Sequence, residues 1–169
     1  MSTNPLAKSK LSRIDQFLEI AGWGTIILIW GNTLFHYSHL PDKIPTHFNF
    51  AGDADSFGHK GMILLLPLIA TLLFIKLNAV TKSPQKFNYP IPITENNAEK
   101  VYLYSSRMMR YLKFILVVIF NIIVFKTIEQ AQGHSQGLGT WFLPLVLVLV
   151  LLPLLYFLVK IVSASNKSD

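Results

Sequence analysis

The chain has no cysteine. Disulfide bridges, thiolate nucleophiles and cysteine-ligated metal centres are therefore excluded, and any metal site must be built from His, Asp or Glu. Charge is scarce too: Asp, Glu, Lys and Arg make up 14% of the 169 residues, against about 25% in a typical soluble domain. No acid falls in the middle of a long apolar run, Glu19 and Glu129 lying at run ends. That argues against a proton-coupled pump, whose pathway normally carries a buried ionisable group. Internal repeats, low-complexity tracts and an HExxH pattern are all missing, so a repeat-built transporter and a zincin-type protease gain no support. The net charge of +6 would suit nucleic acid only as a basic face on a soluble fold. Here the charges sit between apolar runs, and no nucleic-acid partner is expected.

What the chain does have is apolar sequence, 51% of its residues being hydrophobic. Four runs read as helices crossing a bilayer, over 17–38, 61–80, 111–128 and 140–162, each near the ~20 residues that span hydrocarbon. The pieces left over are too short to form a core of their own. The expected fold class is an all-α membrane protein, one membrane domain over 1–169, with the bilayer as its surroundings. The first run follows Lys8, Lys10 and Arg13, yet it exceeds the ~7–15 apolar residues of a secretory signal and no small-x-small site follows, so it reads as an uncleaved span.

Several details refine these spans. A helix starting near Ser56 to Lys60 would hold Pro67 in its interior and bend there. Thr94, followed by Glu95 and Glu99, reads as the cap of a third helix. The recurrence of Val101, Tyr104, Met108 and Tyr111 makes the start of that helix an amphipathic lead-in at the membrane surface. Pro144 and Pro153 mark bends in the fourth span. Gly24 and Gly31 share a face that admits close approach of another helix. Asn32 and Asn121 are the intramembrane polar residues, expected to bond across helices.

Lys and Arg accumulate in cytoplasmic connections. The N-terminus carries Lys8, Lys10 and Arg13; the second connection carries Lys76, Lys82, Lys86, Lys100, Arg107, Arg110 and Lys113; the C-terminus carries Lys160 and Lys167. The other two connections hold Lys43, Lys60 and Lys126 alone. Both termini are expected in the cytoplasm, with the segment LPDKIPTHFNFAGDADSFGHK, residues 40–60, facing outward.

This segment is unusually equipped for a turn. Ile44, Thr46, Phe48 and Phe50 alternate with Pro45, His47 and Asn49, the period of an extended strand with one greasy face and one polar face. Pro41 and Pro45 stiffen it, and Gly52 permits a positive φ in the turn. Lys60, a cation at the start of a helix, calls for an acid; Asp53 and Asp55 are the nearest, with Asp55 the expected partner. His36, His39, His47, Asp53, Asp55 and His59 are candidate metal ligands. DADSFG resembles only the opening of an EF-hand loop, because Leu64 stands where calcium needs glutamate. Ser56 with His59 nearby shows no oxyanion-hole pattern.

The order LP..IP.H.N..G..D..G.K, carried here by Leu40, Pro41, Ile44, Pro45, His47, Asn49, Gly52, Asp55, Gly58 and Lys60, resembles the signature of a bacterial membrane domain of unknown function that also opens the SdpI-type toxin-immunity proteins. The likeness extends from about Gly22 to Val80, and FNYPIPITENNAEKVYLYSSRMMRYLK is similar to the continuation in small four-span members. The resemblance implies a bacterial cytoplasmic-membrane protein and, in one branch, immunity to an exported toxin; the chain departs from that branch in lacking its longer multi-span C-terminal portion.

The leading expectation is a non-enzymatic membrane protein without cofactor. Its outer loop would form a platform recognising a protein, peptide or envelope component, with His47, Asn49, Asp55 and Lys60 as polar contacts and Pro41, Pro45, Gly52 and Gly58 setting the shape. Two rivals are a metal-dependent membrane enzyme using the His/Asp set, and a small transporter with a wet path near Asn32 and Asn121.

Overall fold

The structure, a computed structural model, describes residues 11–165; Lys8, Lys10 and Lys167 of the charge argument lie outside them. Helix α1 (Arg13–Tyr37) leads into a hairpin of β1 (Lys43–Phe48) and β2 (Ala54–His59). A 3-10 turn (Lys60–Leu64) then feeds α2 (Leu65–Thr81), a short 3-10 turn follows at Pro84–Lys86, and α3 (Ala98–Ala131) and α4 (Phe142–Ser165) complete the order. Among the described residues, four helices are long and apolar enough to cross a membrane, the architecture of a multi-pass membrane protein.

Local chemistry sets the helix ends. Ser12 caps α1 in a reciprocal box: its Oγ accepts from Asp15 N at 3.2 Å, and Asp15 Oδ2 accepts from Ser12 N at 3.0 Å, satisfying two otherwise orphaned donors. For α3 the expected Thr94 cap is displaced to Asn97. Asn97 Oδ1 accepts from Thr94 N at 2.9 Å while its Nδ2 donates to Pro92 O at 3.1 Å, so the fully folded-in side chain belongs to the asparagine. The expected interior position of Pro67 is not realised either, because α2 starts at Leu65. Pro67 thus falls in the first turn, where its missing N–H has no intrahelical acceptor to lose.

The long α3 is the hub, packing against α1, α2 and α4. Its amphipathic start continues without a break into the span. The extra length is covered by the connection below it, where Tyr89 and Ile91 pack on Val101, Ile161 and Ala164. Burial pushes the Tyr89 phenol above its ordinary pKa, and its hydroxyl donates to Pro84 O at 2.8 Å.

On α1 the inward face recurs at Asp15, Leu18, Gly22, Ile26, Ile29 and Thr33, a three-and-four spacing that draws one stripe down the helix. At Gly22 the ring of Phe74 comes so close that a Cβ would sit 2.6 Å from it. Phe74 itself is fully buried with Ile26, Ile29, Ala70, Val117 and Val124, and the same core runs on to Ile44 and Ile63 under the hairpin. Gly24 and Gly31 turn the other way: no atom lies within 4 Å of a Cβ placed on either, so the expected close helix contact is not made within the described chain. Interhelical polar contacts are made by Trp30 Nε1, donating to Thr71 Oγ1 at 3.0 Å, and Ser106 Oγ, donating to Thr81 O at 3.2 Å. Asn32 and Asn121 are half-buried, and Asn32 lends its carbonyl to His36 Nδ1 at 3.0 Å.

Candidate functional site

The hairpin is antiparallel, but two irregularities interrupt its register, between Pro45 and His47 and between His47 and Phe48. Each adds an unpaired residue and breaks the two-residue period. The expected greasy face is therefore not realised as written: Ile44 and Pro45 are both buried, Thr46 is exposed, Phe48 is half-buried and Phe50 is 90% exposed. The same shift brings the side chains of His47 and Asp55 together, His47 Nδ1 hydrogen bonding to Asp55 Oδ1.

The turn is tied by Asn49. Its Oδ1 accepts from Ala51 N at 2.9 Å and from Asp53 N at 3.0 Å, which orients the amide so that Nδ2 is left to donate elsewhere. Gly52 has φ +87°, as the turn requires, and its carbonyl accepts from Leu138 N at 2.8 Å. There the hairpin tip meets the α3–α4 connection backbone to backbone. A Cβ on Gly52 would lie 2.6 Å from Gly139 N and O, and one on Gly137 (φ +130°) would strike Gly52 O. Only glycine permits this approach.

The contact closes one side of a pocket of about 350 Å³ lined by His47, Phe48, Asn49, Phe50, Gly52, Asp55, Leu138, Gly139, Phe142 and Leu143. Four expected platform residues, His47, Asn49, Gly52 and Asp55, thus share one site. The connection residues were not anticipated; the crowding of Gly133, Gly137 and Gly139 into seven positions was the available signal.

Lys60 belongs elsewhere. Its expected partner Asp55 is taken by His47, and Lys60 Nζ instead lies 3.4 Å from Asp42 Oδ1 and from Leu40 O, and 5.9 Å from the Tyr37 ring centre. The reason is register: Lys60 N donates to Asp42 O across the hairpin base, and Asp42 and His47 are five positions apart, roughly 16 Å along the strand. Pro41, Pro45 and Gly58 share this base end with Lys60. A Cβ on Gly58 would meet Met62 Sδ at 2.8 Å and Thr46 Cγ2 at 2.9 Å.

The six candidate metal ligands are dispersed. His36 bonds to Asn32 O, His39 faces Ser38, His47 pairs with Asp55 and His59 Nδ1 accepts from Gly61 N at 3.1 Å. Among the described residues no group of three or more His, Asp or Glu is placed to hold a metal ion. His36 and His39 line a shallow hollow with Pro41, Gln132 and His134, but not as a ligand set.

A second polar cluster, at the end of the bundle where α1 and α3 begin, was missed. Lys113 is fully buried; its Nζ donates to Glu19 Oε2 at 2.6 Å and Asn78 Oδ1 at 2.8 Å and sits 4.8 Å from the Phe74 ring centre. Nearly two turns earlier on α3, Arg107 Nε donates to Asp15 Oδ1 at 3.1 Å and its Nη2 to Ser12 Oγ at 3.2 Å. Arg110 Nε lies 3.3 Å from Glu19 Oε1 but makes no aligned hydrogen bond. The i, i+4 spacing of Asp15 and Glu19 opposite Arg107, Arg110 and Lys113 was visible, yet nothing in sequence showed that the two faces meet.

Fold and site define a multi-pass membrane protein with a hairpin packed onto the ends of its helices. Residues 24–71, from α1 through the hairpin into α2, match the family model described as "Domain of unknown function (DUF1648)". The chain is also 29% identical over 136 residues to an uncharacterized protein of Archaeoglobus fulgidus, covering 75% of this chain and 73% of the relative. No solved structure matches the chain.

Proposed function

We propose that this is a non-catalytic membrane protein, a single membrane domain in the cytoplasmic membrane with both termini inside, whose outward hairpin recognises a partner presented at the membrane surface. One observation carries the reading: the pocket between the hairpin tip and the α3–α4 connection, closed on one side by the glycine contact and lined by apolar rings beside the His47–Asp55 pair and Asn49. A few oriented polar groups in an apolar hollow are the usual make-up of a binding site. The orientation rests on the excess of Lys and Arg at the other end. The resemblance to immunity proteins admits an exported peptide among the partners, alongside envelope components. The metal-enzyme rival loses its motivation with the scattering of its ligands, and a wet path has no support where Ile29, Val117 and Val124 are fully buried.

Photo-crosslinking in native membranes tests this. A reactive residue in place of Phe50, on the pocket lip, is expected to give a discrete adduct that disappears in the His47→Ala/Asp55→Ala variant, whereas one in place of Asp42 at the hairpin base gives none. Identical adducts from both positions, or an adduct indifferent to the double variant, would overturn the reading.

A further inference from the structure

We propose that the occupant of this pocket is the head of a membrane amphiphile bearing hydroxyl groups without net charge, its acyl part lying along α4; this rests on the recognition reading above and names the partner class. The first argument is continuity with the face that meets lipid. Leu143 lines the pocket, and within the broad exposed apolar face of α4, which also carries Val148 and Leu152, a row at four-residue intervals leads down from it: Leu143 (39%), Leu147 (49%), Leu151 (45%) and Leu155 (57%). Such an i+4 row is one ridge on a helix surface. From Leu143 to Leu151 it descends about 12 Å, close to the ~15 Å depth of one hydrocarbon leaflet. The pocket therefore opens sideways onto the surface that acyl chains cover, and Trp141, 48% exposed beside its mouth, sits where an interfacial aromatic belongs.

The second argument is the chemistry of the polar rim. No Lys or Arg is among the lining residues, and Asp55 is, so a phosphate, which only accepts, would meet a carboxylate with no cation to offset it. An ammonium would pair with Asp55 but, having no acceptor, would leave the Asn49 Nδ2 donors unsatisfied. A hydroxyl both donates and accepts. It satisfies the free Asp55 oxygen as donor and Asn49 Nδ2 as acceptor, while His47, held through Nδ1, offers Nε2. Phe48 and Phe50 supply apolar faces for the ring of a sugar.

The test uses the full chain in phosphatidylcholine nanodiscs doped with monoglucosyl diacylglycerol, phosphatidic acid or diacylglycerol, with retained lipid counted by native mass spectrometry after release. The expected result is one glucosyl lipid retained per chain, in roughly tenfold preference to the other two, falling by about tenfold in Asp55→Ala, the order of one charged hydrogen bond. Leu147→Trp on the acyl ridge serves as a second variant that leaves the hairpin intact, and it too is expected to lower retention. Equal or stronger retention of phosphatidic acid, or glucosyl-lipid retention unchanged in both variants, overturns the proposal. A Phe50 adduct to a polypeptide with no glucosyl lipid retained removes the amphiphile and leaves the recognition reading standing; loss of both removes both.

Discussion

At the scale of single residues, the two polar clusters behave differently because their burial differs. Lys113 is fully buried and held by Glu19 and Asn78, so truncating it removes the nearer of the two cations beside Glu19 and leaves Arg110 Nε at 3.3 Å. Lys113→Met is expected to destabilise by about 1.5–3 kcal/mol, the order of a hydrogen bond to a charged group, and the Lys113→Met/Glu19→Leu double variant to lose more, since it leaves the nearly buried Arg110 without its nearer carboxylate; denaturant unfolding in one fixed detergent measures both. Lys60→Ala should cost less than about 1 kcal/mol, because Asp42 is 88% exposed and the contact is long. Gly52 and Gly137 form a third class. Alanine at either forces a left-handed backbone on a residue with Cβ and drives that Cβ into the facing chain, an expected loss of about 1–3 kcal/mol. Faster hydrogen exchange at the Leu138 amide, which donates to Gly52 O, would report the hairpin tip coming free; unchanged exchange there would refute the locking role.

At the scale of elements, the helices were legible and their ends less so. Apolar composition marks a span without reference to the rest of the chain, and the four expected runs correspond to α1 to α4. Ends depend on how the preceding connection folds: Asn97, whose side chain ties down Thr94 N and Pro92 O and makes no cap bond to α3, took the cap position from Thr94, and a 3-10 turn displaced the start of α2. From that displacement follows a prediction: Pro67→Ala regains no interior helical hydrogen bond and loses buried methylenes, an expected loss of about 1–2 kcal/mol, against a gain for the interior Pro153→Ala, as unfolding of the two variants side by side would show. The hairpin was read as an extended segment with a turn at Gly52, but its faces were misassigned. A period-two pattern holds only while pairing is regular, and the irregularities at Pro45/His47 and His47/Phe48 are set by the partner strand.

At the scale of the whole molecule, the polar groups divide between two ends. The hairpin end carries all five histidines, His36, His39, His47, His59 and His134; the opposite end carries the Asp15, Glu19, Arg107, Arg110 and Lys113 cluster that joins α1 to α3. Half of the candidate site was legible, namely His47, Asn49, Gly52 and Asp55. The other half, Leu138, Gly139, Phe142 and Leu143, is separated from it by more than eighty residues and comes near only because α3 carries the chain back to the hairpin. With the proposed orientation, single cysteines replacing Ser56 and Ser83 should label from opposite sides of intact cells; equal labelling of both by an impermeant reagent would reverse the topology and with it the outward pocket.

The sequence by itself determined that the chain lacks thiol chemistry, that it has four apolar helices, and that residues 40–60 make a stiff turn with a glycine at its tip. These follow from composition and local stereochemistry, which act over a few residues. Tertiary structure alone decided that Asp55 serves His47 while Lys60 finds Asp42, that Gly52 meets Gly139, and that Lys113 is buried against Glu19. Each of those is a choice among several partners of equal chemistry, and the choice is made by strand register and helix packing, which bring together atoms that the chain order keeps apart.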